Sequence, residues 1–306
     1  MRDQASELRS LVSGTVAKWT DSVGSPPCMA VLLGARGGVG TTTLSVNTSV
    51  ALAQLGHRVV LVDAHLGRSD IAPMCRIREQ YGVFDLLAAR RDIHEVLEPG
   101  PLGVQVLPGT WGAADSTELS AYSKQRLVSR LLTLGPYADW IIVDAGNQSG
   151  PLLNSLCQAA QTVLLVTSPE TISVMDAYAT IKTLIRESFA PTLQLVINQS
   201  ASESVSQDVQ SRIATSCERF LRFPVKPATI VPLDEQVGAA AELGVSLMTK
   251  APVSRAARAV ELLANALASD YEKGQQAKRS TERFDASKEE QPPQPHSLPR
   301  EQRASL

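Results

Sequence analysis

Met29-Ala30-Val31-Leu32-Leu33-Gly34-Ala35-Arg36-Gly37-Gly38-Val39-Gly40-Thr41-Thr42-Thr43 is the stretch on which the fold turns. The apolar run Met29–Leu33 reads as a strand buried on both faces. The glycines after it let the backbone curl, so that successive N–H groups converge on an anion. A helix then opens over Thr42–Leu55, and its N-terminus adds a dipole at the same spot. Strand, glycine-rich turn and helix in that order are the context a phosphate loop requires.

The same alternation continues on the C-terminal side of the loop. Short apolar runs at Val59–Val62, Val104–Leu107, Trp140–Val143, Thr162–Val166 and Leu193–Ile197 read as buried strands. Helical patterns lie between them, as in Leu119–Leu134, Ser173–Ile185 and Ser204–Phe220. Continuous apolar strands imply cover on both sheet faces, so the fold class is α/β, a mostly parallel sheet with helices on both faces. Residues 28–272 are expected to form this one domain. Residues 1–27 precede it and end in the loop signal Gly24-Ser25-Pro26-Pro27. Within them, Leu8, Leu11, Val12, Val16 and Trp19 recur at helical spacing, which predicts an amphipathic helix from Asp3 to Trp19. Such a helix docks on its own domain or presents its stripe to a partner. Residues 273–306 carry twelve charges, four prolines and only three large apolar side chains, so they are expected to be a disordered polar tail.

Composition bounds the function. The 306 residues are 43% hydrophobic and 20% charged, enough for a substantial core. The formal charge of −2 and the 4% aromatic content disfavour a nucleic-acid coat, and no specific nucleic acid is expected as partner. Cys28, Cys75, Cys157 and Cys217 are scattered without a CxxC, which excludes a disulfide scaffold and suits a reducing cytosol. The chain has neither a long apolar segment at its start nor an uncharged apolar run long enough to span a bilayer, so a cytoplasmic protein is expected.

The loop has one anomaly. A Walker A motif ends Gly-Lys-Ser/Thr, and the lysine position here holds Thr41. What remains, Arg36-Gly37-Gly38-Val39-Gly40-Thr41-Thr42-Thr43, resembles the deviant Walker A of the ParA/MinD family of P-loop ATPases, and the resemblance extends over residues 28–268. It implies a three-layer P-loop fold binding ATP and Mg²⁺, with Arg36 at the signature-lysine position that reaches across a nucleotide-dependent homodimer. Arginine keeps that charge and adds a bidentate fork for phosphate. Thr41 supplies no charge to the β- and γ-phosphates, so weakened ATP binding is expected. Thr42 is the hydroxyl expected on Mg²⁺. Asp63, closing the second strand, resembles the first residue of the family's Asp-x-Asp segment and is expected with Thr42 and Asp144 at Mg²⁺, and His65 replaces the second, which positions the attacking water. Asp144, closing Trp140–Val143, resembles the Walker B aspartate that reaches Mg²⁺ through water. Asn198 falls at the family's adenine-contacting asparagine, and Pro232, in Ile230-Val231-Pro232-Leu233-Asp234, on the loop that closes over the base. With Thr41 and His65 both replaced, no catalytic residue is assigned, and hydrolysis is expected to be very slow or absent.

Two further stretches narrow the branch. Asp3-Gln4-Ala5-Ser6-Glu7-Leu8-Arg9 resembles the Asp-Gln-Ala-x-x-Leu-Arg motif of the flagellar number regulators (FlhG, also YlxH), and Pro169–Lys182 resembles a segment of the same branch. This implies that Asp3, Gln4, Leu8 and Arg9 engage and activate an FlhF-like GTPase of the signal-recognition-particle type. The degenerate loop resembles instead the localisation proteins of CpaE/TadZ or BcsQ type, which implies a pseudo-ATPase scaffold for pilus secretion or cellulose synthesis. A metabolic ligase or kinase of this fold would need the missing lysine, and an iron–sulfur relative would need cysteines in motifs this chain lacks. Ala256, Val260, Leu263 and Leu267 recur at helical spacing beside Arg255 and Arg258. That stripe is either the last helix docking on the sheet or a peripheral contact with the inner face of the cell membrane.

Overall fold

The computed structural model describes residues 26–65, 70–78, 80–109, 120–187 and 192–289. The expected N-terminal helix, with Asp3, Gln4, Leu8 and Arg9, lies outside them.

An eight-stranded sheet organises the chain. In chain order its strands are β1 (Cys28–Gly34), β2 (Val59–Asp63), β3 (Glu98–Pro99), β4 (Gln105–Leu107), β5 (Trp140–Asp144), β6 (Thr162–Thr167), β7 (Thr192–Ser200) and β8 (Thr229–Pro232). They lie side by side as β3-β4-β2-β5-β1-β6-β7-β8. All pairs are parallel except β3 with β4. The six strands expected from the sequence are present, each within a few residues of the apolar run that marks it. The two short ones, β3 and β8, are additions at the sheet's edges.

Burial explains the strand composition. Every residue of β2 and of β5 is buried, as an apolar run covered on both faces must be. Met29, Val31, Leu33, Val62, Val143 and Leu165 join one continuous core, and each fully buried Val or Leu contributes about 1.5–3 kcal/mol. The chain leaves β1 for β2 on one side of the sheet and passes from β5 to β6 on the other. The carboxyl end of β1 is therefore the point where the strand order reverses, and open α/β sheets bind ligands at such points.

The first helix, α1 (Thr41–Gln54), is buried nearly all round, including Thr41, Ser45, Asn47, Thr48 and Ser49. Most of its polar side chains are satisfied within the helix or by Ser246, whose Oγ donates to Asn47 Oδ1 at 2.8 Å, while Thr48 Oγ1 has no partner among the described residues. Ser45 Oγ donates to Thr41 O at 3.0 Å, Ser49 Oγ to Ser45 O at 2.8 Å, and Asn47 Nδ2 to Thr43 O at 2.7 Å. Three short helices follow β2: α2 (Ile71–Cys75), α3 (Val83–Leu87) and α4 (Ile93–Val96). The longer α5 (Ala121–Leu132), α6 (Pro151–Ala159), α7 (Thr171–Arg186) and α8 (Glu203–Leu221) alternate with β5 to β8. After β8 come α9 (Glu235–Glu242), α10 (Leu247–Lys250) and α11 (Arg255–Glu289).

The chain divides into two compact units, Met1–Asn265 and Ala266–Leu306, so the division falls inside α11 and ahead of the boundary expected at 272. Residues 273–289 are helical, where the sequence reads as a disordered tail. Lys, Gln, Ala, Arg and Glu dominate that stretch, and no proline interrupts it before Pro292, so local helix propensity outweighs its lack of apolar residues. Residues 290–306 lie outside the described residues. In the first unit Ala256, Val260 and Leu263 are buried. That part of the stripe is docked, and Arg255 Nη2 donates to Leu233 O at 3.2 Å. Among the described residues no helix is long and apolar enough to cross a membrane.

Candidate nucleotide site

The loop between β1 and α1 hangs from the sheet by two backbone bonds, Gly34 N to Gly146 O at 2.6 Å and Ala35 N to Val166 O at 2.8 Å. Gly38 and Gly40 take φ of +84° and +88°, a left-handed backbone that side-chain-bearing residues adopt at a cost. Gly40 caps α1 without a side-chain hydrogen bond, so no side chain competes for the first-turn N–H groups. These groups face a cavity of about 560 Å³, a volume within the range of small-molecule sites. Arg36, Thr41, Thr42, His65, Asp70 and Met74 are among its lining residues.

Two carboxylates are buried behind the lining residues Thr42, His65 and Gly146, to which they are hydrogen-bonded. Asp63 and Asp144 are paired in register at the ends of β2 and β5, and each is 1% exposed. Asp144 accepts from the Thr42 hydroxyl and, at 3.1 Å, from Gly146 N. Burial pushes its carboxyl above the ordinary carboxylate range, against the opposing pull of the Thr42 and Gly146 hydrogen bonds and of the nearby His65 charge. Asp63 Oδ1 accepts from His65 N at 3.2 Å. A hydroxyl and two buried carboxylates are hard oxygen donors and fit Mg²⁺, which takes few protein ligands and completes its shell with phosphates and water. Among the described residues there is no group of three or more His, Cys, Asp or Glu that could hold a metal ion.

The two substituted positions have definite places. Thr41 is 6% exposed and turns its hydroxyl towards Gly34, where a Cβ would come within 2.4 Å of Oγ1. The His65 ring packs on Gly146, where a Cβ would stand 2.6 Å from its Cγ. Arg36 lies at the cavity rim with Nη1 4.0 Å from Glu170 Oε2, an exposed and therefore weak pair.

A second, smaller cavity of about 180 Å³ adjoins the loop, lined by Asn198, Pro232, Leu233 and Val237 together with Gly40 and Thr43. Asn198 and Pro232, placed at a base-binding site by resemblance, thus share one apolar cleft beside the phosphate loop. The amide of Asn198 is engaged on the loop itself, with Nδ2 donating to Val39 O at 2.8 Å. Gln199 does the same one residue on, with Nε2 3.1 Å from Gly38 O. Nothing in the residue pattern singles out Gln199, because its role depends on a backbone turn at the end of β7. Asp70 and Met74 were likewise beyond sequence reasoning, since α2 brings them to the cavity through tertiary packing.

Comparison with known proteins agrees with this geometry. A family model described as "ParA: NUBPL iron-transfer P-loop NTPase" matches residues 28–268. The chain belongs to the ParA/MinD family of P-loop NTPases. It is 30% identical over 239 residues to the antiactivator FleN of Pseudomonas aeruginosa, covering 78% of this chain and 85% of FleN. It is 27% identical to the flagellum site-determining protein YlxH of Helicobacter pylori, over 60% of this chain and 62% of that one. The fold is that of the cell division ATPase MinD of Pyrococcus furiosus, with a TM-score of 0.65 at 20% identity over 79% of this chain and 98% of that one. MinD of Pyrococcus horikoshii, solved with Mg-ADP, matches with a TM-score of 0.65 at 19% identity, over 79% and 96% of the two chains.

Burial pushes the Cys157 thiol up to about 12 and the Cys217 thiol up to about 11, so both are held in the neutral thiol form.

Proposed function

We propose that this chain is a flagellar regulator of the FlhG type, which binds ATP with Mg²⁺ weakly, dimerises on binding and activates an FlhF-like GTPase through its N-terminal segment. The observation that carries the reading is the similarity to FleN, which covers 78% of this chain. The parts fit the task. Backbone N–H groups of the Gly37–Gly40 loop cradle phosphate oxygens, Thr42 and Asp144 hold the cation, and the Asn198–Pro232 cleft receives a flat base. Arg36, at the rim, exchanges its weak contact with Glu170 for a phosphate carried by a second copy. Mg²⁺, when bound, neutralises phosphate charge that Thr41 does not.

A scaffold that positions a surface machine without a nucleotide cycle, as in the CpaE/TadZ or BcsQ type, is the competing reading. Thr41 favours it, since its hydroxyl supplies no charge. Light scattering with and without ATP·Mg²⁺ separates the two. A dimer that forms only with nucleotide supports the regulator, and an assembly state indifferent to ATP supports the scaffold.

A further inference from the structure

The end of β7 does something a regular strand cannot. Successive side chains of a strand point to opposite faces, yet Asn198 and Gln199 both donate their amide N–H groups to the phosphate loop, at Val39 O and Gly38 O. Two local features allow it. Gln199 sits at φ +58°, a left-handed conformation rare for a residue with a side chain. The pairing of β7 with β8 also shifts register between Ile197 and Ser200, and such irregularities re-aim side chains. Backbone strain of this kind persists only where the surroundings over-determine it, and it gathers at ligand clamps. The approach is close: a Cβ on Gly40 would stand 2.4 Å from Asn198 Nδ2.

We propose that Gln199, together with Asn198, is a positioning residue that holds the phosphate loop in its anion-binding shape and so compensates for the missing lysine. The planar peptide unit supplies the mechanism. In a trans peptide the C=O of one residue and the N–H of the next point in opposite directions. Pinning Gly38 O and Val39 O towards β7 therefore aims the N–H groups of Val39 and Gly40 away from it, into the loop's concavity. A lysine at position 41 would add a charged donor for the bound phosphate in that concavity. Thr41, turned against Gly34, adds none, and the two amides hold the loop from outside. Gln199 touches the backbone of the loop and acts through it.

The affinity part of this inference rests on the proposed nucleotide binding; the loop-shape part does not. Gln199→Gly is the variant of choice, because glycine keeps the left-handed backbone while deleting the amide. In nucleotide-free protein, amide hydrogen exchange in the 37–40 segment should quicken in Gln199→Gly with the rest of the sheet unchanged. The Kd for ATP·Mg²⁺ should rise about tenfold, the worth of one net hydrogen bond. Gln199→Asn, a methylene too short to reach Gly38 O, should behave alike. In a Thr41→Lys background the loss on Gln199→Gly should shrink to about twofold or less, since lysine and amide serve the same loop. Unchanged exchange in the loop overturns the proposal, and so does an equal affinity loss in both backgrounds. Wild-type protein that ignores ATP, with exchange still quickened in Gln199→Gly, sinks the nucleotide reading and leaves the staple standing.

Discussion

The hydroxyl of Thr41 lies against Gly34, and a Cβ at position 34 would be 2.4 Å from Oγ1. Thr41 thus fills a niche on the strand side of the loop and leaves the cavity in front of α1 without a cation at that position. A lysine is too long for that niche and must extend into the cavity of about 560 Å³. Thr41→Lys is therefore expected to tighten ATP·Mg²⁺ binding by one charge-assisted contact, about 1.5–3 kcal/mol or roughly tenfold to a hundredfold. Calorimetry on both proteins checks this. Sub-micromolar affinity in the wild type, or none at millimolar ATP, counts against it.

Hydrolysis should be very slow. By the family resemblance, Arg36, Thr41 and His65 are expected to stand where residues that stabilise or organise phosphoryl transfer would be, and charge placement carries most of that catalysis. His65 also occupies space, because its ring rests on Gly146 at the floor of the site. The double variant Thr41→Lys with His65→Asp should raise steady-state phosphate release about tenfold or more, and either change alone should do less. A wild-type rate equal to the double variant's would sink the idea.

How much of this was legible before the structure depended on the scale of the signal. The central strands were, because Met29–Leu33 or Trp140–Val143 must be buried on both faces and sequence shows that directly. Edge strands β3 and β8 were not, since Glu98-Pro99 and Thr229–Pro232 are short, partly exposed and carry no alternation. The loop was legible from its strand, glycine turn and helix order, and Asp144 came only through the family resemblance. Gln199 was not: its place depends on one left-handed residue and a register shift, and neither leaves a compositional mark. The helix through residues 273–289 was missed because low hydrophobicity was allowed to outweigh helix propensity.

Far from the loop, Arg58 and Asp139 form a forked pair at the amino end of β5, with Nη2 to Oδ1 at 2.6 Å and Nε to Oδ2 at 3.2 Å. The Arg58 hydrogen bonds hold the Asp139 carboxyl below its ordinary value of 3.8. The folded pKa is thus depressed below the unfolded one. The pair's contribution is fully present above the unfolded value and is lost as pH falls through the folded one. Arg58 is half exposed, so solvent screening limits the effect to about 1 kcal/mol. Asp139→Asn should lower the melting temperature by about 2–4 °C near neutral pH, and the deficit should shrink as pH falls below 3.8. A deficit that persists undiminished in acid would contradict the assignment. ATP affinity should not change.

The N-terminal segment gives the prediction with the widest consequence, because it does not depend on the altered phosphate loop. Asp3, Gln4, Leu8 and Arg9 form the partner-activating motif expected from the sequence, and β1 begins only at Cys28. The eight strands of the sheet all lie from Cys28 onward. Gln4 and Arg9 would enter or brace the partner GTPase's site, while Leu8, Leu11 and Val12 anchor the helix, a buried leucine contributing about 1.5–3 kcal/mol. A peptide of residues 1–22 should stimulate GTP hydrolysis by the cognate signal-recognition-particle-type GTPase, and Gln4→Ala or Arg9→Ala should abolish the effect. The opposing expectation is equally concrete. If the segment only packs on its own domain, deleting residues 1–26 lowers the melting temperature markedly and the free peptide stimulates nothing. If the peptide activates the GTPase without ATP or a dimer, the proposed regulator would keep its output even with weak nucleotide binding.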